Sequence, residues 1–290
     1  MTLVSVTLVV LASLIHASWN LLAKRAASVG ARFVFAYNLV SCAAYTPWVG
    51  WLLIHDAVPW SLHGAGFLLL SGLIHLGYSL CLQRGYQVAD LSVVYPVARG
   101  TGPMLSTIGA FVILGETPRL AGIAGLLLVV AGIVLIATNG RLATFLRPEG
   151  QSGLRWGGLT GGFIASYTVV DAITVKTLGI APVLLDWFNN LLRFVLLAPM
   201  VLRDPLRFRD AMRGHWPEAI GVGLLSPLSY ILVLEALRHG APLSIVAPMR
   251  EMSMMVGALM GLLILREHVG PWRLGGCAVL VVGVMLLGSA

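Results

Sequence analysis

Charge is scarce in this chain. Only 11% of its 290 residues are charged and 58% are hydrophobic, and the mean hydropathy is +0.90; a soluble domain has about 25% charged residues. This composition excludes a disordered chain and a soluble enzyme, and it predicts an integral membrane protein. No low-complexity tract or basic arm is present, and the basic residues fall in short predicted loops. The net charge of +7 therefore reflects membrane topology and does not indicate nucleic-acid binding.

Reactive and metal-binding patterns are also missing. The three cysteines, Cys42, Cys81 and Cys277, lie inside apolar segments at spacings that fit neither a metal site nor a disulfide framework. No His or Cys stands four residues after His16 or His75, so no metal is expected. The sequence has no phosphate-binding glycine loop, HExxH motif or serine elbow. We predict no cofactor and no enzymatic activity.

Long apolar segments fill most of the chain. A membrane-spanning helix needs about 20 mainly apolar residues, and in lipid its backbone must hydrogen-bond within the helix. The sequence therefore predicts an all-α bundle of ten transmembrane helices, the first being a retained span and not a cleaved signal. The predicted spans are 3–23, 32–54, 64–84, 89–114, 119–138, 156–176, 182–202, 216–237, 241–265 and 270–288.

The two halves of the chain are related. A shift of 152 residues aligns landmarks of the first half with those of the second, and after one deletion the shift becomes 151. This predicts a first repeat at 1–140, a linker at 141–155 and a second repeat at 156–290. Because each repeat has five spans, the second copy should be inverted about an axis in the membrane plane. Aligned pairs are Lys24 with Lys176, Asn38 with Asn190, Tyr78 with Tyr230, Pro96 with Pro248, Arg99 with Arg250 and Glu116 with Glu267.

Arginines within the spans are the first candidates for function, because a charge in hydrocarbon is costly. Arg99 and Arg250 each follow a proline, Pro96 or Pro248, by less than one helical turn. Proline loosens a helix, so both prolines are candidate hinges. The rigid guanidinium suits a carboxylate or phosphate of a substrate. A structural or gating ion pair, for example with Glu251, and snorkelling are the alternatives.

Carboxylates and histidines within the spans are candidate proton carriers, because apolar surroundings favour the neutral carboxyl group. For Glu235 a solvated position at a helix end is equally compatible, and the histidines fit a packed core as well. Asp186 is interpreted as a residue of the membrane entrance. The candidate proton carriers are Glu251, Asp171, Glu235, His16 and His75.

Further polar and aromatic side chains could line a substrate cavity. Cross-helix hydrogen bonding and helix packing explain them equally well. These candidates are Arg193, Asn38, Asn190, Trp19, Tyr78, Tyr95 and Tyr230.

Three stretches carry a resemblance to a known family: WNLLAK at Trp19–Lys24, the proline-containing segment Leu91–Glu116 and its partner Leu243–Glu267, each of the latter followed by a glycine-rich final helix. In this order, doubled, they resemble the EamA-like branch of the drug/metabolite transporter superfamily over essentially the whole chain. The resemblance implies secondary transport of small metabolites through a central cavity, in the bacterial inner membrane.

The expected function is transport of small polar or zwitterionic metabolites, such as amino acids or related organic acids, by alternating access. Export is the family's commoner direction, and protons are a candidate coupling ion. The alternatives are a multidrug or cationic-compound exporter and a non-transporting scaffold or receptor. The expected partners are a small-molecule substrate and the lipid bilayer, with no nucleic acid, in a monomer or homodimer.

The loop charges predict the orientation. Thirteen of the nineteen Lys and Arg residues lie in one set of loops and three in the other, which places the first set in the cytoplasm and both termini outside. Members of the resembled family usually have cytoplasmic termini. Alkaline phosphatase fused after residue 290 should therefore be active and a green fluorescent protein fusion dark, while fusions within 203–215 should give the reverse. The opposite pattern would place the termini in the cytoplasm.

Overall fold

The protein is entirely helical in the part that the structure covers. A computed structural model describes residues 1–55, 58–88, 91–138, 140–141, 148–256 and 270–289, and none of these is in a β-strand. A short 3-10 helix occupies Ala27–Val29. The α-helices are α1 (Leu3–Arg25), α2 (Ala31–His55), α3 (Leu62–Val88), α4 (Leu91–Val112), α5 (Leu120–Thr138), α6 (Pro148–Lys176), α7 (Pro182–Leu202), α8 (Pro205–Ala211), α9 (Trp216–Arg238), α10 (Leu243–Met249) and α11 (Pro271–Ser289).

Five helical segments among the described residues are long and apolar enough to cross a membrane. They are Leu3–Ala23, Leu62–Leu82, Gln151–Lys176, Pro182–Leu202 and Trp216–Arg238. Large apolar side chains also stand exposed on the outside of the bundle, among them Leu62 and Leu120. Such a surface is unfavourable in water and suits contact with lipid.

Three predicted boundaries differ from the structure. Helix α6 begins at Pro148, so part of the predicted linker is helical; proline is favoured in a first helical turn. The short helix α8 forms in a predicted loop, where Asp204 caps it by accepting a hydrogen bond from the Arg207 backbone nitrogen at 3.0 Å. The predicted span 241–265 is interrupted at residues 250–251, and its part beyond 256 lies outside the described residues, as does Glu267.

Helices from the two halves of the chain pack against each other. Helix α1 packs on α9, and α6 packs on α3 and α4. The pair α2 and α7 and the pair α5 and α11 also join one half to the other. The pocket described below lies where these helices meet, so its wall contains residues from both halves.

Glycines allow α5 and α11 to approach at backbone distance. A Cβ atom placed on Gly276 would lie 2.8 Å from the backbone nitrogen of Ile136 and 2.9 Å from the carbonyl oxygen of Gly132. Gly125 and Gly283 face each other in the same way. Close backbone contact of this kind supplies packing energy where no hydrophobic drive exists between helices in lipid.

Gly276→Ala should destabilise the protein, because the added methyl group overlaps backbone atoms that cannot rotate away. Overpacking of this kind costs about 1–3 kcal/mol, which would lower the thermal unfolding midpoint in detergent. Gly275→Ala is the matched control: Gly275 is exposed, and its Cβ would meet no atom of the described residues within 4 Å. Equal midpoints for the two variants would contradict the packing argument.

Candidate functional site: a central pocket

A pocket between the two halves is lined by eight of the predicted site residues. The volume of this pocket is about 90 Å³, whereas pockets that hold small-molecule ligands have volumes of about 300–1,000 Å³. Helices or side chains must therefore move before a metabolite can enter. The predicted candidates that line this pocket are His16, Trp19, His75, Tyr78, Arg99, Arg193, Tyr230 and Arg250.

Arg99, Glu251 and Arg250 form a buried ion cluster at one side of the pocket. Arg99 Nε lies 2.8 Å from Glu251 Oε2, and Arg250 Nε lies 3.8 Å from Glu251 Oε1. All three side chains are buried, and Glu251 is completely inaccessible. Arg99 thus forms the ion pair with Glu251 that the sequence analysis gave as an alternative to substrate binding. The Glu251 carboxylate also lies near the second cation, Arg250.

Two further side chains hold the Arg99 guanidinium. Its Nη2 donates to Ser253 Oγ at 3.0 Å and lies 3.1 Å from His16 Nε2. Because arginine has no acceptor, His16 Nε2 must accept this hydrogen bond and carry its own proton on Nδ1. The Tyr95 ring centroid lies 5.8 Å from the guanidinium carbon, close enough for a cation–π contact. Arg99 therefore has an ion-pair partner and two further polar partners, although its Nε lies near Glu251 without hydrogen-bond geometry.

The Arg250 guanidinium has fewer polar partners than that of Arg99 among the described residues. Its Nε and Nη2 atoms are buried, and within the described residues neither has a hydrogen-bond acceptor. A buried donor without an acceptor costs free energy, more so when it is charged. Since Arg250 also lines the pocket, an anionic group entering the pocket could accept these hydrogen bonds.

The backbone changes its winding at this cluster. The backbone nitrogen of Glu251 donates to the carbonyl oxygen of Pro248 at 3.0 Å. The backbone nitrogen of Met254 donates to the carbonyl oxygen of Glu251 at 2.9 Å. These are bonds to the third preceding residue, as in a 3-10 helix, and such a stretch within a helix often marks a hinge. At the equivalent site, α4 continues through Pro96 without interruption. The two candidate hinges thus differ in backbone structure.

A second polar cluster surrounds Asp171, which is completely buried. Its carboxylate accepts from Ser71 Oγ and, at 2.5 Å, from the Tyr230 hydroxyl. His75 Nε2 lies 3.8 Å from Asp171 Oδ2, and Asn189 Nδ2 donates to Ser71 Oγ at 2.9 Å. Asp171 does not line the pocket itself, but Tyr230 and His75 connect it to the pocket wall.

Helix α7 presents a third polar row. Asn190 Nδ2 donates to Asp186 Oδ2 at 2.7 Å, and Arg193 Nη2 donates to Asn190 Oδ1 at 2.8 Å. Asp186 is only 6% exposed and lines the pocket with Arg193. The structure therefore places Asp186 in the pocket wall, and not at a solvated membrane entrance as the sequence was interpreted. Its spacing of four and seven residues from Asn190 and Arg193, which places all three on one helix face, could have signalled this.

Two predicted candidates are placed away from the pocket. Glu235, near the end of α9, lies 3.6 Å from Arg238 and 3.7 Å from His239 and is partly exposed. Asn38 is buried, and its Nδ2 donates to the carbonyl of Val34 at 2.7 Å. The solvated alternative fits Glu235, and a packing role fits Asn38.

Glu116 fixes the start of α10. Its carboxylate accepts from the backbone nitrogens of Leu243 at 2.7 Å and Ser244 at 2.9 Å. Lys176 Nζ lies 3.6 Å from the same carboxylate and donates to the carbonyl of Ala241 at 3.2 Å. These contacts tie the ends of α4 and α6 to the helix that leads to Arg250.

A polytopic helical membrane protein with a charged central pocket is the class that these features define. The model of the EamA-like transporter family matches residues 3–138 and 151–289. The chain therefore belongs to the EamA-like transporter family, within the drug/metabolite transporter superfamily. This is a family of membrane transporters and not of enzymes.

Similar proteins are known from bacteria. Multidrug resistance protein EbrB of Bacillus subtilis (strain 168) is 36% identical over 77 residues, and EbrB of Bacillus atrophaeus is 39% identical over 79 residues. Each match spans 27% of this chain and 61% of the relative's length. A solved crystal structure aligns with a TM-score of 0.74 and 17% identity, covering 98% of this chain and 95% of that one. This last likeness concerns the fold alone.

Proposed function

We propose that this protein is a secondary transporter that moves small polar or zwitterionic metabolites, amino acids or related organic acids, across the bacterial inner membrane. The observation that carries the proposal is Arg250, a buried cation on the pocket wall. Its Nε lies 3.8 Å from Glu251, and neither Nε nor Nη2 has a hydrogen-bond acceptor in the part of the chain that the structure describes. A substrate carboxylate would supply it, and a guanidinium can hold a carboxylate through two parallel hydrogen bonds. The direction proposed is export.

The surroundings of Arg250 support an organic anion as substrate. Arg99 already has Glu251, His16 and Ser253 as partners. We therefore assign it the role of holding Glu251 in place, and we assign ligand binding to Arg250. Trp19 and Tyr78 line the same pocket. Such side chains combine an apolar face for a carbon skeleton with a polar tip for hydrogen bonding.

The packing pattern supports two inverted five-helix repeats in a ten-helix bundle, with repeats at 1–140 and 156–290. The first helix of one repeat packs on the third membrane-length helix of the other in both cases, α1 on α9 and α6 on α3. Rocking of one repeat against the other would open the pocket alternately to each side. The tightened backbone at Pro248–Glu251 would serve as one pivot, and the loop charges would place the termini outside.

The cluster around Asp171 supports coupling to protons. Surroundings of low dielectric disfavour the charged form of a carboxylate, so a buried carboxylate takes up a proton more readily than an exposed one. Tyr230 and His75 link the Asp171 carboxylate to the pocket. Proton uptake at Asp171 would weaken the acceptor that holds the Tyr230 hydroxyl. The pocket wall would then respond to the protonation state.

Export of cationic drugs is the second candidate. The likeness to EbrB over 27% of the chain favours it, as do the acidic side chain of Asp186 and the aromatic wall of the pocket. The donors of Arg250 oppose it, since a cation would leave them without an acceptor. A non-transporting scaffold or receptor would bind without moving its ligand.

Arg250→Ala should weaken binding of carboxylate ligands. The purified protein would be screened by thermal shift against the twenty amino acids, small carboxylic acids and tetraphenylphosphonium, and ligands that stabilise it would be tested for flux in proteoliposomes. Loss of a charged partner should weaken the Kd at least about tenfold. Arg209→Ala is the control, because Arg209 is an exposed arginine of α8.

Carboxylate binding that survives in Arg250→Ala would overturn the anion site. Stabilisation and flux of tetraphenylphosphonium alone would favour the drug exporter. Binding without flux of any compound would favour the receptor.

Asp171→Asn should separate exchange from coupling. The amide keeps the size of the side chain but cannot take up a proton, so counterflow exchange of substrate should persist while accumulation driven by an imposed pH gradient should fall to the level of empty vesicles. Glu235→Gln, an acid outside the pocket, should behave like the wild type. Gradient-driven accumulation that is unchanged in Asp171→Asn would assign coupling to another group.

A further inference from the structure

We propose that Asp186 is the residue that recognises the ammonium group of the substrate, so that the pocket selects molecules carrying both a carboxylate and an amine. This inference rests on the proposed function, because it assigns the carboxylate of the same substrate to Arg250. Neither charge pattern nor span prediction singled out Asp186, which stands four residues after the start of α7.

Of the three acidic side chains that the structure describes around the pocket, Asp186 is the one that lines it. Glu251 is completely buried and shared between Arg99 and Arg250. Asp171 is also completely buried, and each of its oxygens accepts a hydroxyl donor. Asp186 lines the pocket.

One carboxylate oxygen of Asp186 is available. Oδ2 accepts from Asn190 Nδ2 at 2.7 Å, and Oδ1 has no donor within the described part of the chain. An ionised carboxylate has about four acceptor positions, so an ammonium group can approach Oδ1 without displacing Asn190.

Asn190 also keeps Asp186 apart from Arg193. The amide donates to Asp186 through its nitrogen and accepts from Arg193 Nη2 through its oxygen at 2.8 Å. No direct ion pair joins Asp186 and Arg193 among the described contacts, so the carboxylate is oriented and still free to bind a cation. A direct ion pair would have occupied it.

The charge balance of the pocket favours a zwitterion. Three buried arginines and three buried carboxylates surround it, namely Arg99, Arg193, Arg250, Asp171, Asp186 and Glu251. With all six ionised the sum is zero. A monoanion or monocation would add an uncompensated charge to a region of low dielectric, which is costly, whereas a zwitterion adds one charge of each sign and keeps the balance.

The test compares three ligands that differ only in charge: L-phenylalanine, 3-phenylpropionate and 2-phenylethylamine. The wild type should bind phenylalanine most tightly. In Asp186→Asn the Kd for phenylalanine should weaken at least about tenfold and approach the Kd for phenylpropionate. Phenylpropionate itself should bind no more weakly than to the wild type, because the variant removes a negative charge from the pocket. The parallel series of L-leucine, 4-methylpentanoate and isopentylamine guards against a misfit of the phenyl ring.

The controls separate this inference from a structural role and from the anion site. Asp186→Glu should keep the preference for phenylalanine, and Glu235→Gln should match the wild type. Asp186→Ser offers the same comparison if the asparagine variant does not fold. Arg250→Ala should weaken phenylalanine and phenylpropionate alike.

Equal binding of phenylalanine and phenylpropionate by the wild type, or a preference that survives in both Asp186→Asn and Asp186→Ser, would overturn the ammonium site and leave the anion proposal standing. Conversely, if only phenylethylamine bound and Asp186→Asn abolished that binding, the ammonium site would stand and the anion proposal would fall.

Discussion

The central interaction of this structure is the contact of one buried carboxylate, that of Glu251, with two buried arginines. Glu251 is completely inaccessible and lies between Arg99 and Arg250, where removing either kind of charge would leave the other uncompensated, at a cost of about 3–5 kcal/mol. Arg99 has the shorter contact and two more partners, whereas Nε and Nη2 of Arg250 have no hydrogen-bond acceptor among the described residues. The fold thus holds an ion cluster in which, among the described residues, Arg250 has fewer partners than Arg99.

The rest of the bundle positions this cluster. Glu116 caps α10 at its first residues, and Lys176 adds a charge contact from α6. Seven residues further along, the backbone tightens at Arg250, which lines the pocket, and Glu251, which is buried beside it. The contacts of Glu116 and Lys176 at the start of this helix therefore help to set the position of Arg250 at its end.

Much of this arrangement was accessible from the sequence, because hydrocarbon penalises charge so strongly that each intramembrane arginine becomes conspicuous. The same reasoning failed for Asp186, whose position near the start of a span resembles a solvated entrance, although tertiary packing buries it. For Glu235, which lies equally close to a span end, it left a proton carrier and a solvated residue both open, and the structure places this side chain beside Arg238 and partly exposed. The helical start of α6 at Pro148 was missed because its first residues are polar. Depth along a helix is readable from sequence; the contacts made by its neighbours are not.

The two halves differ in the acidic residues that they bring to the pocket. Tyr78 and Tyr230 or Arg99 and Arg250 occupy aligned positions, but the carboxylates do not: Asp186 aligns with Val34, and Asp171 with Trp19. Among the described residues, the carboxylates at or beside the pocket all come from the second half. In the proposed mechanism, fully symmetric repeats would give outward-open and inward-open states that are related by a two-fold rotation and equal in free energy. The unequal distribution of carboxylates removes that equality. Coupling to protons would have a different requirement, namely that binding of the proton changes the affinity for the substrate, and the contact of Tyr230 with Asp171 at the pocket wall is where we propose that it arises.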